Sequence, residues 1–180
     1  MTRHIKGRGR NSSRGLTILE FTLTVLVSML LVLSAFEFGR YVYSMQMLNE
    51  MTRKAARLAA VCSIGDRDDI KDLAEIVENR PYGFTASDLE IAYLDRDGSA
   101  VAVDGFSSMS TDDKDDVLAQ VRYVQAFVSD DYKFQFVRFL SFLGDAGSIK
   151  VPNYQTVIPA ESLGVVRPTQ SSPSGATEDC

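Results

Sequence analysis

Residues 16–36 read LTILEFTLTVLVSMLLVLSAF, a run of 21 residues with a single charged side chain, that of Glu20. A helix of this length is about 31 Å long at 1.5 Å per residue, close to the thickness of a bilayer's hydrocarbon core. We therefore predict that a transmembrane segment occupies residues 16–38.

The helical pattern continues beyond the apolar run. Apolar or small side chains recur at steps of three and four, and most charged residues fall on the other faces, which is typical of an amphipathic helix. This series consists of Tyr41, Met45, Leu48, Thr52, Ala55, Ala59 and Cys62. We predict one helix over residues 16–61 and assign residues 39–64 to its continuation outside the membrane, with Gly65 as the first strong stop.

A basic arm precedes the apolar run. The first 14 residues contain five basic residues and no acidic one, which is typical of a leader rather than of a folded element. Removing those five from the 19 basic residues leaves 14 against 24 acidic residues, a formal charge of −10. A body this acidic repels phosphate, so we expect no nucleic-acid partner.

The composition argues against an enzyme. The 180 residues suffice for one ordinary domain, and the only histidine is His4, in the basic arm. The rest of the chain has no imidazole for general-base catalysis or zinc ligation, so we expect no catalytic site, cofactor or metal. Asp95, Asp97 and Gly98 resemble the start of a calcium loop, but without its distal Glu they favour a hairpin turn. The acidic residues 112–116 are typical of a solvated surface.

The remaining sequence predicts an α+β fold: the long N-terminal helix followed by a small extracytoplasmic domain, residues 65–160, with an antiparallel sheet. We expect a helix over 66–79, a hairpin of 89–93 with 101–103, a solvated loop at 110–116 that can cap a helical turn, a strand at 121–128, a strand or helix at 134–143, and a strand at 150–158 broken by Pro152. The aromatic residues Phe134, Phe136, Phe139 and Phe142 favour core packing against the long helix over a docking patch. Residues 161–180, rich in Pro, Ser and Gly, are expected to form a flexible tail unless Cys180 ties it down.

Cys62 and Cys180 are the two cysteines. In an oxidising compartment they can form one disulfide, which would close a loop of over a hundred residues. The alternative is that the terminal Cys180 stays free, because the sequence does not show the distance between the two thiols.

Glu20 is the most informative residue of the apolar run. The uncharged stretch from Glu20 to Glu37 is only 16 residues, about 24 Å as a helix, so either Glu20 enters the hydrocarbon or the membrane thins around it. The carboxylate could simply snorkel to the headgroups. If the chain is cut between Gly15 and Leu16, however, Glu20 becomes the fifth residue, one helical turn from a new α-amine with which it can pair.

These residues resemble a known family. The basic leader, Gly15, four apolar or small residues, Glu20 and Phe21 resemble the cleavage site of type IV prepilins in the Flp/Tad form. Residues 36–43 (FEFGRYVY) and 48–61 (LNEMTRKAARLAAV) closely resemble TadE-like (TadE/TadF) minor pseudopilins of the Flp/Tad type IVb pilus system. Phe21 stands where Flp prepilins usually have Tyr, and the body is much longer than a major Flp pilin, which argues against a major subunit.

The resemblance implies a structural and assembly role in pilus biogenesis and surface adhesion. A prepilin peptidase would remove residues 1–15 at the Gly15–Leu16 bond, and Glu20 and Phe21 would act in assembly. The chain would cross the bacterial inner membrane once, with its N-terminus cytoplasmic and its C-terminal domain periplasmic. Its expected partners are the peptidase, other pilins and pseudopilins, inner-membrane platform proteins and membrane lipid.

Two other interpretations remain open. One is a secreted binding protein whose ordinary signal peptide is cut near Leu33, Ser34 and Ala35. The other is an uncleaved single-pass anchor that presents an extracytoplasmic domain. The first predicts a mature chain that begins at Phe36, and the second predicts that Glu20 is dispensable.

Overall fold

The structure is a computed structural model that describes residues 14–136, 148–165 and Cys180. The chain divides into two compact units, Met1–Arg40 and Tyr41–Cys180, and the boundary lies inside the first helix. That helix, α1, runs over Arg14–Val61, so the predicted long N-terminal helix is confirmed. It starts before Leu16 and passes through the Gly15–Leu16 bond without a break.

In the first unit, the side chains of α1 contact little beyond their own helix. None of its most apolar 18-residue window is buried, and the mean hydropathy of that window is 2.3. By length and composition, Leu16–Val61 is one helix that could cross a membrane. This is what the sequence predicts for a segment that is apolar on every face.

In the second unit, one side of α1 lies in a hydrophobic core. Leu48 and Met51 are fully buried. Four alanines, whose small side chains let other elements pack close to the helix backbone, are also fully buried: Ala55, Ala56, Ala59 and Ala60. Between them, the hydroxyl of Thr52 accepts a 3.3 Å hydrogen bond from the hydroxyl of Thr156 in the sheet. The amphipathic spacing of the sequence thus determines which side of the helix the domain covers.

The core is closed by a three-stranded antiparallel sheet. Its strands are β1 (Leu89–Leu94), β2 (Tyr123–Val128) and β5 (Gln155–Pro159), in the order β1-β2-β5. Strands β3 (Lys133–Gln135) and β4 (Ser148–Lys150) form a separate antiparallel pair. Alternate residues of β2 are buried, as the period of a strand requires. The α+β class with an antiparallel sheet is confirmed, and the chain between 150 and 158 is divided between β4 and β5.

Three local predictions need correction. The helix expected over 66–79 is two short helices, α2 (Arg67–Ile70) and α3 (Ala74–Val77), preceded by a 3-10 turn at Ile64–Asp66. The hairpin expected after β1 is reduced to one bridge between Leu94 and Ala100 and a backbone hydrogen bond from Val101 to Tyr93, whereas β1 pairs along its length with β2. The loop expected at 110–116 is the start of a helix, α4 (Thr111–Gln120).

A capping side chain explains the third correction. The hydroxyl of Ser110 accepts the backbone N–H of Asp113 at 3.3 Å, and Asp112 and Asp113 lie in the first turn of α4. Acidic side chains at a helix N-terminus interact favourably with the helix dipole, so a run that resembles a solvated loop can start a helix.

Residues 161–165, at the start of the expected tail, contact the C-terminus of α1. The backbone N–H groups of Glu161 and Leu163 donate to the carbonyl of Ala60, and that of Gly164 donates to Val61 at 2.7 Å. Leu163 is 6% exposed. The last carbonyls of a helix have no hydrogen-bond donor within the helix. Residues 161–165, which we call the C-terminal clasp, supply such donors to α1. The rest of the expected tail up to residue 179 lies outside the described residues.

Candidate functional site

The candidate site is the apolar surface of α1 in the first unit. Large side chains point away from the helix on every side and are more than half exposed, among them Leu16, Phe21, Leu31 and Phe36. A contiguous exposed apolar surface of this kind marks a site for lipid or for other proteins. Leu16 and Phe21, two of the predicted site residues, lie on it, and Gly15 lies in the first turn of the helix.

Glu20 interrupts this surface. Its side chain is exposed, and its carboxylate makes no ion pair or hydrogen bond with any residue that the structure describes. Its backbone carbonyl accepts the hydroxyl of Thr24 at 2.9 Å, and Ser34 donates in the same way to Leu30 at 2.7 Å. These hydroxyls are satisfied within the helix, so they can enter hydrocarbon at little cost, whereas the Glu20 carboxylate needs a partner.

A second charged pair marks the outer end of the apolar run. One guanidinium nitrogen of Arg40 lies 2.9 Å from Glu37 and donates to both carboxylate oxygens, an i, i+3 pair. The Glu37 side chain is 18% exposed and that of Arg40 is 34% exposed. Between Glu20 and Glu37 the helix therefore presents only uncharged side chains.

The aromatic cluster lies in the second unit. The Phe134 ring is 5.3 Å from that of Tyr41, edge to face, and Phe136 stacks on Tyr41 at 6.4 Å. Phe134 is 2% exposed. The prediction that this cluster belongs to the core, packed against the long helix, is confirmed for Phe134 and Phe136. Phe139 and Phe142 lie outside the described residues.

Cys62 and Cys180 are joined by a disulfide, with 5.6 Å between their Cα atoms and a sequence separation of 118. The backbone N–H of Cys180 also donates to the Asp66 carboxylate at 3.1 Å. The disulfide attaches Cys180 to Cys62, the residue that follows α1, close to the C-terminal clasp. Sequence reasoning missed the clasp because a polar tail carries no periodic signal.

The turn after β1 is a plain one, as predicted. The Asp95 carboxylate accepts the backbone N–H groups of Asp97 and Ser99 at 2.9 and 2.8 Å, and Gly98 has a φ of +82°. The Asp95 side chain thus bonds to the turn itself. Within residues 14–136 and 148–165 no cluster of acidic, histidine or cysteine side chains has the arrangement of a metal site.

Residues 15–57 match the family model of the TadE-like protein. The match starts at Gly15 and covers the apolar helix and most of its continuation into the core. This part of the chain is therefore similar to TadE-like proteins, which supports an association with the Tad pilus system. No curated protein and no solved structure matched the chain in the same comparison.

Proposed function

We propose that this protein is a minor pseudopilin of the Tad pilus assembly machinery. In this proposal a prepilin peptidase cuts between Gly15 and Leu16, and α1 anchors the chain in the inner membrane with its second unit on the periplasmic side. The processed helix then joins other pilin helices during pilus biogenesis, aided by the inner-membrane platform proteins. Its part is structural and requires no cofactor.

The observation that carries the proposal is the position of Glu20 on α1. The carboxylate is the only charge in residues 16–36, lies on an exposed apolar helix, and is one turn from the bond that would be cut. A lone membrane helix gains nothing from a carboxylate at this place, which costs free energy in hydrocarbon. In a bundle of processed helices the carboxylate is stabilising, because the new α-amine of Leu16, from the same or a neighbouring subunit, can pair with the carboxylate at low dielectric.

The disulfide supports an extracytoplasmic second unit. Disulfides persist in oxidising compartments such as the periplasm and are rare in the cytosol. Cys62 and Cys180 both belong to the unit that follows Arg40, so the bond and the proposed topology agree.

The test compares processing with assembly in cells that make the other Tad components. Gly15→Val places a branched side chain at the proposed cut, and Gly39→Val is its matched control, because a Cβ at Gly39 meets nothing within 4 Å. We expect Gly15→Val to remain uncut and to be absent from sheared pili, and Gly39→Val to be cut normally. Normal processing and assembly of Gly15→Val would contradict the proposal.

A second comparison concerns Glu20. Glu20→Ala should insert in the membrane and be cut, yet fail to assemble, whereas Glu50→Ala, on the exposed side of α1 in the second unit, should assemble. Assembly of Glu20→Ala at the wild-type level would show that the carboxylate has no role and would favour a plain membrane anchor.

A further inference from the structure

A cavity of about 300 Å³ lies within the second unit. Its wall is formed by the loop before the 3-10 helix Ala86–Asp88, by the end of that helix, and by β3 with the turn before it. The described residues of the wall include Tyr82, Asp88, Asp131, Tyr132, Lys133 and Gln135. Small-molecule sites in proteins have volumes of about 300–1,000 Å³ and combine apolar surface with a few polar groups, so this cavity is large enough for a small ligand.

The Asp88 carboxylate is fixed in the wall of the cavity. One of its oxygens accepts the backbone N–H and the hydroxyl of Thr85, at 2.7 and 2.6 Å. The backbone carbonyl of Asp88 accepts the N–H of Ser129 at 2.8 Å, which connects this side of the cavity to the turn after β2. The second carboxylate oxygen has no hydrogen-bond partner among the residues that the structure describes. It is therefore a preorganised acceptor, which loses little freedom when a ligand binds.

The Tyr132 phenol is the second polar group of the wall, and it is unpartnered. Tyr132 is 6% exposed, and its ring packs edge to face on Phe84 with 4.9 Å between the ring centroids. Its buried hydroxyl has no hydrogen-bond partner within the described part of the chain. Burial, and then the charge of Asp88, raise the pKa of Tyr132, so the phenol keeps its hydrogen at neutral pH. A buried donor without an acceptor costs free energy, and a ligand in the cavity can supply that acceptor.

The open side of the cavity carries an aromatic ring and exposed polar side chains. Tyr82 is 89% exposed, so its ring is free to stack on a ligand. Lys133 and Gln135 alternate with the buried Phe134 along β3, so both lie on the exposed side of the strand, and both line the cavity. Asp131, also exposed, precedes them in the chain. The described wall therefore offers an exposed ring, two carboxylates, an amide and an ammonium.

The chemistry of the wall discriminates between ligand classes. Two carboxylates beside one ammonium disfavour phosphate and other anions. They are too few for a metal site, and the described residues contain no group of three or more metal-ligating side chains. An ammonium ligand donates hydrogen bonds but accepts none, so it cannot pair with the O–H of Tyr132. A hydroxyl both donates and accepts, and the negative face of an aromatic ring attracts the C–H groups of a sugar ring.

We propose that this cavity binds a saccharide ring, an inference that goes beyond the proposed pilus role. In this arrangement a ring hydroxyl accepts the hydrogen of the Tyr132 phenol, and the free oxygen of Asp88 accepts a hydrogen from a hydroxyl. The C–H face of the sugar lies on Tyr82, and Gln135 and Lys133 form hydrogen bonds with hydroxyls on the open side. The glycan of the cell wall and a neutral polysaccharide outside the cell share this chemistry, but only the sugars of the first are N-acetylated.

The first experiment measures binding to the full chain in micelles of a polyoxyethylene detergent, which carries neither sugar nor charge. Saturation-transfer difference NMR is recorded with the β-1,4-linked trisaccharides of N-acetylglucosamine and of glucose, with choline as an ammonium, and with methyl phosphate as an anion. We expect transfer to the ring protons of a trisaccharide and none to choline or methyl phosphate. The N-acetylated probe represents the cell wall and the glucose probe a surface polysaccharide, so the stronger signal identifies the source. Transfer to neither trisaccharide, or equal transfer to choline or methyl phosphate, would overturn the proposal.

The second experiment removes single groups of the cavity and titrates the trisaccharide with the stronger signal. Tyr132→Phe deletes only the unpartnered hydroxyl, and Tyr82→Ala deletes the exposed ring. Each should weaken binding at least about five-fold, the effect of losing one hydrogen bond or one ring contact. Tyr132→Phe should also leave the unfolding midpoint without sugar unchanged or higher, because the lost hydroxyl had no partner. A loss of folding would therefore not explain the weaker binding.

Matched controls remove the same groups elsewhere. Tyr93→Phe deletes another buried hydroxyl without a described partner, and Tyr43→Ala deletes a side chain that is 62% exposed. Both should bind the trisaccharide as the wild-type chain does. Wild-type affinity in Tyr132→Phe or in Tyr82→Ala, or an equal loss in the controls, would count against the saccharide site. A chain that binds no sugar, yet is cut at Gly15 and enters pili, would refute that site alone and leave the pilus role intact.

Discussion

Replacing Gly164 by alanine tests the C-terminal clasp. Gly164 has a φ of +77°, and a Cβ built on it would lie 2.7 Å from both the backbone N and the Cα of Ser63. No real Cβ approaches backbone atoms so closely, so the clasp must move away from the end of α1. Its hydrogen bond to the carbonyl of Val61, 2.7 Å long, would be stretched with it.

The expected loss in the free energy of unfolding of Gly164→Ala has two parts. An L-residue in the left-handed region costs about 1–2 kcal/mol, and forcing a methyl group into a filled space costs about 1–3 kcal/mol more. Gly164→Ala should thus lower the free energy of unfolding by about 2–5 kcal/mol. Gly98→Ala is the matched control, since its φ is +82° and a Cβ there meets nothing within 4 Å. Gly98→Ala should lose only the cost of the left-handed backbone conformation, about 1–2 kcal/mol.

The assay is denaturant unfolding of the full chain in detergent micelles, followed by tyrosine fluorescence. The chain has no Trp, and all of its 7 Tyr lie in the second unit, so this signal reports on that unit. The difference between the two alanine variants isolates the contact with Ser63 from the backbone strain. Equal losses in Gly164→Ala and Gly98→Ala would refute the clasp, whatever their absolute size.

Two further predictions concern the disulfide and a buried phenol. Replacing both Cys62 and Cys180 by serine should lower the free energy of unfolding by about 4–5 kcal/mol in the chain-entropy model, because the bond has a sequence separation of 118. Identical unfolding midpoints of the wild-type chain with and without reductant would contradict this. Burial raises the pKa of Tyr93 above its usual value of 10.0. The unfolded chain then ionises before the folded one, so stability should fall as the pH rises above 10, by up to about 1.4 kcal/mol per unit. Tyr93→Phe should flatten that decline, whereas Tyr82→Phe, whose ring is 89% exposed, should not; equal slopes in both variants would count against the buried phenol.

The elements with strong periodicity were predictable from the sequence. The long helix could be assigned because it is apolar on all faces up to Phe36 and on one face beyond it, and β2 because β-branched and aromatic residues fill it. The i, i+3 pair of Glu37 and Arg40 follows from helical geometry alone.

Other features depend on contacts that a local pattern does not encode. The pairing of β1 with β2, which is distant in sequence, could not be read from the local pattern, which indicated only the hairpin with residues 101–103. Of helix α4 only a capped turn was predictable, because its acidic first turn resembles a solvated loop. The clasp was missed because its value lies in satisfying the carbonyls of α1, which are a hundred residues away in the sequence.

The intact mass of the mature protein, purified from its own host with and without reductant, tests the central claim most directly. Proteolytic release of a basic leader predicts a chain that begins at Leu16 and gains two hydrogens on reduction. A chain that begins at Phe36 would indicate an ordinary secreted protein, and one that keeps its first fifteen residues, in cells that process other pilins, would contradict the account.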